Sequence, residues 1–171
     1  QKERYLRPML RGDEIWSQGM SEPEAGSDLA SLRCAAVPDG GELVVNGQKT
    51  WNSQGHRADW CQLYVRTNTD VPKHKGITCL LVDMRTPGLT LRPIKQMSLR
   101  ADFNETFLDN VLIPDDCRIG KPGEGFKIAM SNLDVFRSTV GAAAPRFAPR
   151  APDEGMKRGD ERKVFHRKIT H

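Results

Sequence analysis

The most informative stretch of the sequence is Leu43-Val44-Val45-Asn46-Gly47-Gln48-Lys49-Thr50-Trp51-Asn52-Ser53. Its two halves are rich in residues that favour β-strands, and an Asn-Gly pair stands between them. Asn and Gly both tolerate a positive φ, which the tight turn of a two-residue hairpin requires. The pattern therefore predicts a β-hairpin with its turn at Asn46-Gly47.

Short strand-like segments continue on both sides of this stretch. They are rich in Val, Leu, Ile, Trp and Thr, and they lie at 14–20, 31–37, 42–46, 59–67, 76–83 and 89–95. Turn signals separate them, including Pro38-Asp39-Gly40-Gly41 and Thr86-Pro87-Gly88. Many short strands at this spacing are typical of an antiparallel β-barrel or sandwich. The sequence therefore predicts a mainly-β domain over residues 14–114.

The sequence changes character after Pro114. An approximate apolar stripe predicts an α-helix over residues 124–144. Three prolines follow it: Pro145, Pro149 and Pro152. Because an interior proline costs a helix roughly 3 kcal/mol, we expect no continuous helix across 145–152, and a second helical stretch beginning near Pro152. At the other end of the chain, residues 1–10 are compatible with a helix, which Gly12 would end.

The composition is typical of a globular protein. Of 171 residues, 37% are hydrophobic and 28% are charged. No apolar run approaches the roughly 20 residues of a membrane span, and the N-terminus has no apolar segment typical of a secretory signal. The formal charge of +4 lies in residues 145–171, where acids are mixed with the bases. This mixture favours a solvated helix surface over a nucleic-acid site.

The cysteines indicate neither a metal site nor a disulfide framework. Cys34, Cys61, Cys79 and Cys117 form no CxxC pair, and no His stands beside them at the spacing of zinc ligands. Cys61 and Cys79 lie within apolar runs, where free cysteine behaves as a small buried hydrophobe. These features are typical of a protein from a reducing compartment.

Two polar segments are candidates for ligand binding. The loop Ser21-Glu22-Pro23-Glu24-Ala25-Gly26-Ser27-Asp28 offers hydroxyls and backbone N–H groups to an anion or a heterocycle, although an ordinary turn followed by a capped helical turn has the same spacing. Trp51 stands two residues before Ser53, so both side chains lie on one face of a strand. An indole beside a hydroxyl suits a planar ring with a polar edge, although a core Trp is the more ordinary explanation. No Rossmann or P-loop glycine motif is present.

Taken together, the two segments resemble the middle domain of the acyl-CoA dehydrogenases. That family pairs a Ser/Thr-Glu-Pro-x-Ala-Gly-Ser-Asp loop with a following Gly-Gln-Lys-x-Trp-x-Ser/Thr strand. Supporting similarities lie in family order at 1–6, 107–114, 123–126 and 161–165. The resemblance covers nearly all of the chain. It implies that residues 1–13 end an N-terminal helical domain, 14–114 form a flavin-binding β-barrel, and 115–171 begin a truncated C-terminal helical domain.

The resemblance also implies FAD as cofactor and an acyl-CoA thioester as substrate. Flavin contacts would come from Gln18, Met20, Ser21, Gly26, Ser27, Trp51, Asn52, Ser53 and Arg162. Ser21 would bond the pyrimidine side of the flavin, Trp51 would pack on the isoalloxazine ring, and Ser53 would lie near N5. Arg162 would reach the FAD pyrophosphate of a neighbouring subunit. Contacts with CoA would come from Ser27, Asp134 and Arg137.

In the family, a Glu removes the α-proton while the β-hydride passes to flavin N5. In most members we expect this Glu in the last helical domain, beyond the end of this sequence. A minority carry it on the first C-terminal helix, where this chain has Phe136, so we identify no catalytic residue. We therefore expect the chain alone to show no turnover and to hold FAD weakly or not at all. If turnover were found, the carboxylates to test first would be Glu22, Glu24 and Asp134.

The resemblance implies further properties of a full-length protein. It would be a homo-oligomer, either a dimer or a tetramer, and it would pass electrons to an electron-transfer flavoprotein or a similar acceptor. It would be cytoplasmic in a bacterium or would lie in the mitochondrial matrix. Two alternatives stay open: a catalytically incomplete relative that binds acyl-CoA or a partner, and a flavin oxidase or monooxygenase on the same scaffold.

Overall fold

The computed structural model describes residues 1–164 and 167–168. Its helices are α1 (Lys2–Arg11), α2 (Gly125–Phe147) and α3 (Arg150–Glu161). Its strands are β1 (Trp16–Gly19), β2 (Ala35–Asp39), β3 (Glu42–Ser53), β4 (Trp60–Arg66), β5 (Ile77–Asp83), β6 (Leu89–Ile94), β7 (Phe103–Pro114), β8 (Arg118–Ile119), β9 (Lys163–Val164) and β10 (Arg167–Lys168). Short 3-10 turns lie at Leu29–Ser31, Gly55–Arg57, Lys73–Lys75 and Asp115–Cys117.

Eight strands form one sheet in the order β6-β7-β3-β2-β4-β5-β8, with β1 also paired to β4. The prediction of a mainly-β region followed by a helix is confirmed. The sheet is mixed rather than purely antiparallel, because β1 and β2 both run parallel to β4. The described ladders do not join β6 to β8, so the sheet is not closed into a barrel.

The hairpin predicted at Asn46-Gly47 is wrong. Strand β3 runs straight through this pair, and its register with β7 shifts between Val45 and Gly47, which marks a β-bulge. Gly47 is required there for close approach, since a Cβ at this position would lie 2.7 Å from Cys34 Cα. The tight turn lies one segment earlier, between β2 and β3, where Asp39 pairs with Glu42. Gly40 and Gly41 form that turn, with φ of 57° and 95°.

The inner faces of these strands supply the hydrophobic core. Its buried members are Cys34, Ala36, Leu43, Val45, Cys61, Leu63, Val65, Leu80, Val82, Met84, Leu108, Val111 and Ile113. Helix α1 ends where predicted, at a left-handed Gly12 with φ 74°. It contacts the sheet through Tyr5, whose ring centroid lies 4.9 Å from that of Trp60. Gln1 Nε2 also donates to the carbonyls of Asp116 and Arg118.

The chain divides into two compact units, residues 1–128 and 129–171. Helix α2 continues past Pro145 to Phe147, slightly further than predicted, and the N–H of Ala148 still donates to the carbonyl of Ala144. The break then falls before α3, so the prediction that no helix crosses 145–152 is confirmed. Pro152 lies in the first turn of α3, which proline tolerates. Among the described helices, none is both long and apolar enough to cross a membrane.

Candidate functional site

A cavity of about 320 Å³ lies along β1 and the second half of β3. Strand β1 and the residues after it contribute Trp16, Ser17, Gln18, Met20 and Ser21, and β3 contributes Thr50, Trp51 and Ser53. Strand β1 forms its ladder with β4, and no described ladder joins it to β3. The cavity is therefore a gap between two walls of the same domain.

The structure brings together five of the residues predicted to contact a flavin. Gln18, Met20, Ser21, Trp51 and Ser53 all line this cavity. The expectation that Trp51 and Ser53 share a face therefore agrees with the structure, and Ser21 joins them at the opposite wall. Trp51 is 58% exposed, and its ring meets that of Phe103 edge-on, with 6.2 Å between ring centroids.

Three other predicted residues lie elsewhere in the same unit. Asn52 is 1% exposed and faces the interior, where its Nδ2 donates to the carbonyl of Gln18. Gly26 and Ser27 are exposed and do not line the cavity. They lie in the loop that follows Ser21. A 3-10 turn with Asp28 at the N-cap position comes next, as the turn interpretation predicted, but the Asp28 side chain makes no capping hydrogen bond.

The cavity has the chemistry of a site for a flat heterocycle. Its volume is at the small end of the range for ligand pockets, so it suits a ring system rather than a whole dinucleotide. The indoles of Trp16 and Trp51 supply apolar surface, and the hydroxyls of Ser21, Thr50 and Ser53 supply hydrogen bonds. These residues therefore fit the ring of a flavin.

Contacts from two other elements hold Trp16 in place. Its ring stacks on that of Trp60 in β4, with 6.0 Å between centroids, and it meets Tyr5 of α1 edge-on at 5.5 Å. The guanidinium of Arg4 lies 5.5 Å from the ring centroid of Trp60, within cation–π range. Helix α1 therefore supports one wall of the cavity.

An ion pair is buried beside the cavity. Lys49 is fully buried, and its Nζ donates to Glu22 Oε1 at 2.8 Å and to the carbonyl of Met20 at 3.2 Å. The backbone N–H groups of Arg33 and Cys34 donate to the same carboxylate at 2.7 and 2.9 Å. Glu22 is thus hydrogen-bonded on both oxygens, as a buried charge requires. The pair joins the loop after Ser21 to β3.

Sequence reasoning missed this pair. Strict alternation along β3 would place Lys49 on the same face as Trp51 and Ser53, in the cavity. A second bulge, where the register with β7 shifts between Lys49 and Asn52, turns Lys49 inward instead. Trp51 takes a positive φ of 62° at this bulge. The one available signal was that Glu22 and Lys49 each lie inside one of the two motifs quoted above.

The remaining predicted residues lie in the second unit. Asp134 Oδ1 accepts from Arg137 Nη1 at 3.1 Å across one turn of α2, and both side chains are about two thirds exposed. Arg162 follows α3 and is exposed. Phe165, the last residue of the motif around Arg162, lies outside the described residues. The contacts proposed for these residues stay predictions.

The cysteines are free, and three of them are buried. Burial raises the pKa of the Cys61 thiol and of the Cys79 thiol to about 12, and that of Cys34 to about 11. These thiols are therefore protonated and unreactive at neutral pH. In the described part of the chain, no group of three or more His, Cys, Asp or Glu side chains is placed to hold a metal ion.

Comparison with known proteins places this unit in a family. The family described as "Acyl-CoA dehydrogenase, middle domain" matches residues 17–111, more than half of the chain. Acyl-CoA dehydrogenase FadE34 of Mycobacterium tuberculosis is 47% identical over 133 residues, covering 78% of this chain and 19% of that protein. Acyl-CoA dehydrogenase IpdE1 of the same organism is 43% identical over 144 residues, covering 82% of this chain and 37% of that protein.

Solved structures agree with this match. A crystal structure of acyl-CoA dehydrogenase from Geobacillus kaustophilus superposes with a TM-score of 0.86 at 33% identity, covering 99% of this chain and 46% of that one. The ChsE4-ChsE5 complex from Mycobacterium tuberculosis gives a TM-score of 0.72 at 40% identity, covering 78% of this chain and 34% of the matched chain. The chain thus spans less than half the length of these relatives.

Proposed function

The chain belongs to the acyl-CoA dehydrogenase family, and from this premise we propose that it forms the flavin-binding middle part of a FAD-dependent acyl-CoA dehydrogenase. The observation that carries the proposal is the cavity in which Gln18, Met20, Ser21, Trp51 and Ser53 lie together. Residues 14–114 would be the flavin-binding domain. Residues 1–13 would end the helical domain before it, and 115–171 would begin the helical domain after it.

Different residues around the cavity would stack on the flavin ring and form hydrogen bonds with its edges. Trp51 offers an exposed indole face on which the isoalloxazine ring would stack. Ser21 and Ser53 carry hydroxyls on the two walls and would bond the polar edges of that ring. Asn52 would act through its backbone, because its side chain faces the interior. Arg162 would contact the FAD pyrophosphate of a second subunit, where its planar guanidinium suits a phosphate.

In the full-length protein, bound FAD supplies the hydride acceptor for α,β-dehydrogenation of an acyl-CoA thioester. Ser27, Asp134 and Arg137 would hold the CoA portion. We assign no residue of this chain as the base. Glu22 is unsuited to that role because it forms a buried ion pair with Lys49. The full-length protein would form a homo-oligomer and would pass its electrons to an electron-transfer flavoprotein or a similar acceptor. The ChsE4-ChsE5 complex from Mycobacterium tuberculosis supports association with a further protein chain in general, although its two components carry different names.

Titration of the chain with FAD tests the proposal. Of the two outcomes expected from the sequence, weak binding or none, the cavity already formed by this chain favours weak but saturable binding. Flavin fluorescence and the visible absorption band would report it. Trp51→Ala should weaken binding by about fivefold or more, because one aromatic contact of this kind contributes about 1 kcal/mol beyond its buried area.

Met156→Ala is the matched control, since Met156 is an equally exposed apolar side chain in the second unit, at 64% against 58% for Trp51. Its FAD affinity should equal that of the wild type. Absence of saturable binding by the wild-type chain would contradict the proposal, as would equal binding by wild type and Trp51→Ala.

A further inference from the structure

Four hydrogen bonds cross between the two walls of the cavity, although no described ladder pairs β1 with β3. Three of them come from side chains. Ser17 Oγ donates to the carbonyl of Ser53 at 2.9 Å, Asn52 Nδ2 to that of Gln18 at 2.6 Å, and Lys49 Nζ to that of Met20 at 3.2 Å. The fourth joins the N–H of Thr50 to the carbonyl of Ser21 at 2.9 Å. We call this set the wall clamp.

The side chains of the wall clamp are among the most buried polar groups of the chain. Lys49 is 0% exposed, Asn52 is 1% exposed and Ser17 is 4% exposed. A buried donor that loses its acceptor carries the full cost of desolvation, so each of these three donors depends on its bond to the opposite wall. The clamp therefore sets the distance between the two walls with little freedom to relax.

The wall clamp also holds the backbone on both sides of Trp51, a residue of the cavity lining whose backbone is strained. Trp51 has a φ of 62°, a left-handed conformation that bulky residues rarely adopt. The residues on either side of it, Thr50 and Asn52, are both bonded to the opposite wall. Asn104 Nδ2 also donates to the carbonyl of Asn52 at 3.1 Å. A strained residue persists where its surroundings over-determine it.

We propose that Asn52 and Lys49 are positioning residues, which hold Trp51 and the two walls of the cavity at the spacing that a flavin ring needs. Neither side chain would touch the ring. Asn52 acts by tying the bulge to β1, and Lys49 acts by tying β3 to Met20 and to Glu22 in the loop after Ser21. This inference rests on the proposed flavin site.

The first test compares FAD affinity in Asn52→Ala and Val65→Ala chains. Val65 is fully buried in the core cluster and takes no part in the wall clamp, so it controls for loss of stability alone. We expect Asn52→Ala to bind FAD about tenfold more weakly than wild type, the equivalent of roughly one buried hydrogen bond. Val65→Ala should keep the wild-type affinity, measured where both chains are fully folded. Equal affinities in the two variants would overturn the inference.

The second measurement does not depend on FAD. In the NMR spectrum of the free chain, Asn52→Ala should shift the indole N–H signal of Trp51 and speed the hydrogen exchange of the Thr50 amide, while Val65→Ala should leave both unchanged. If the wild-type chain bound no FAD but these changes appeared, the clamp would stand and the flavin proposal would fail. If neither signal responded to Asn52→Ala, the clamp itself would be refuted.

Discussion

The first unit buries one ion pair, whereas the ion pairs described in the second unit are exposed. In residues 1–128, Lys49 and Glu22 form an ion pair whose side chains are 0% and 8% exposed. In residues 129–171, the pairs Arg137–Asp134 and Arg150–Glu154 lie on helix surfaces, with every side chain more than 60% exposed. The first pair joins segments far apart in sequence, whereas the others connect neighbouring turns of one helix.

Among the described residues, the buried pair lies beside the cavity of the first unit. The β unit contains the polar bonds that shape its cavity. The second unit leaves large apolar side chains open to solvent, including Val135, Phe136, Val140 and Met156. An apolar helix face needs another surface to cover it. All the residues that line the cavity therefore belong to the first unit.

The largest expected effect is on catalysis. We expect no acyl-CoA-dependent reduction of an electron acceptor by the FAD-saturated chain above a no-protein control, because loss of a positioned base alone typically costs about 10²–10⁴-fold. A series of acyl-CoA substrates of different chain length should be tried. Turnover that falls in Glu24→Gln or Asp134→Asn would show that one of these carboxylates serves as base.

A large effect on stability is expected from breaking the buried pair. Lys49→Met leaves the Glu22 carboxylate buried without its partner and should lower the free energy of unfolding by about 3–5 kcal/mol. Arg137→Met breaks an exposed pair and should lower it by less than about 1 kcal/mol. Urea denaturation followed by circular dichroism measures both. If both variants lost the same free energy of unfolding, the buried pair would contribute no more to stability than the exposed one, contrary to this prediction.

An intermediate effect is expected from the proline inside α2. Pro145 lacks an N–H and crowds the preceding turn, so Pro145→Ala should stabilise the end of this helix by up to roughly 3 kcal/mol and raise the far-ultraviolet signal at 222 nm. Pro152→Ala is the control, because Pro152 lies in the first turn of α3. A larger gain in helical signal from Pro152→Ala would contradict this account. FAD affinity should change in neither variant.

The smallest expected effect is on thiol chemistry. Burial raises the pKa of Cys61 and Cys79 to about 12, above the roughly 8.5 of a thiol in the unfolded chain. The protonated thiols therefore contribute stability that is fully present below about pH 8.5 and is lost as the pH rises toward 12. At pH 8, a thiol reagent should label the partly exposed Cys117 first. Rapid labelling of Cys61 in folded protein would contradict this burial.

The sequence predicted the mainly-β region, the helix after it and the breaks around the prolines, since these depend on local residue preferences. It predicted one hairpin at the wrong place. Asn46-Gly47 and Gly40-Gly41 both suit a tight turn, and only the pairing of Asp39 with Glu42 decides between them. Gly47 is needed instead because β3 passes close to Cys34, a contact between segments that no local pattern contains.

By itself, the sequence determined which residues could meet a planar ring, because the motifs that contain Ser21, Trp51 and Ser53 are local. The tertiary structure alone decided which side chains face the cavity and which face the interior. The bulge beside Trp51 interrupts the alternation of β3, so Lys49 and Asn52 turn inward and bond to carbonyls of β1 and the residues after it. A bulge depends on the partner strand, and hydrogen bonds between distant segments form only once the chain has folded.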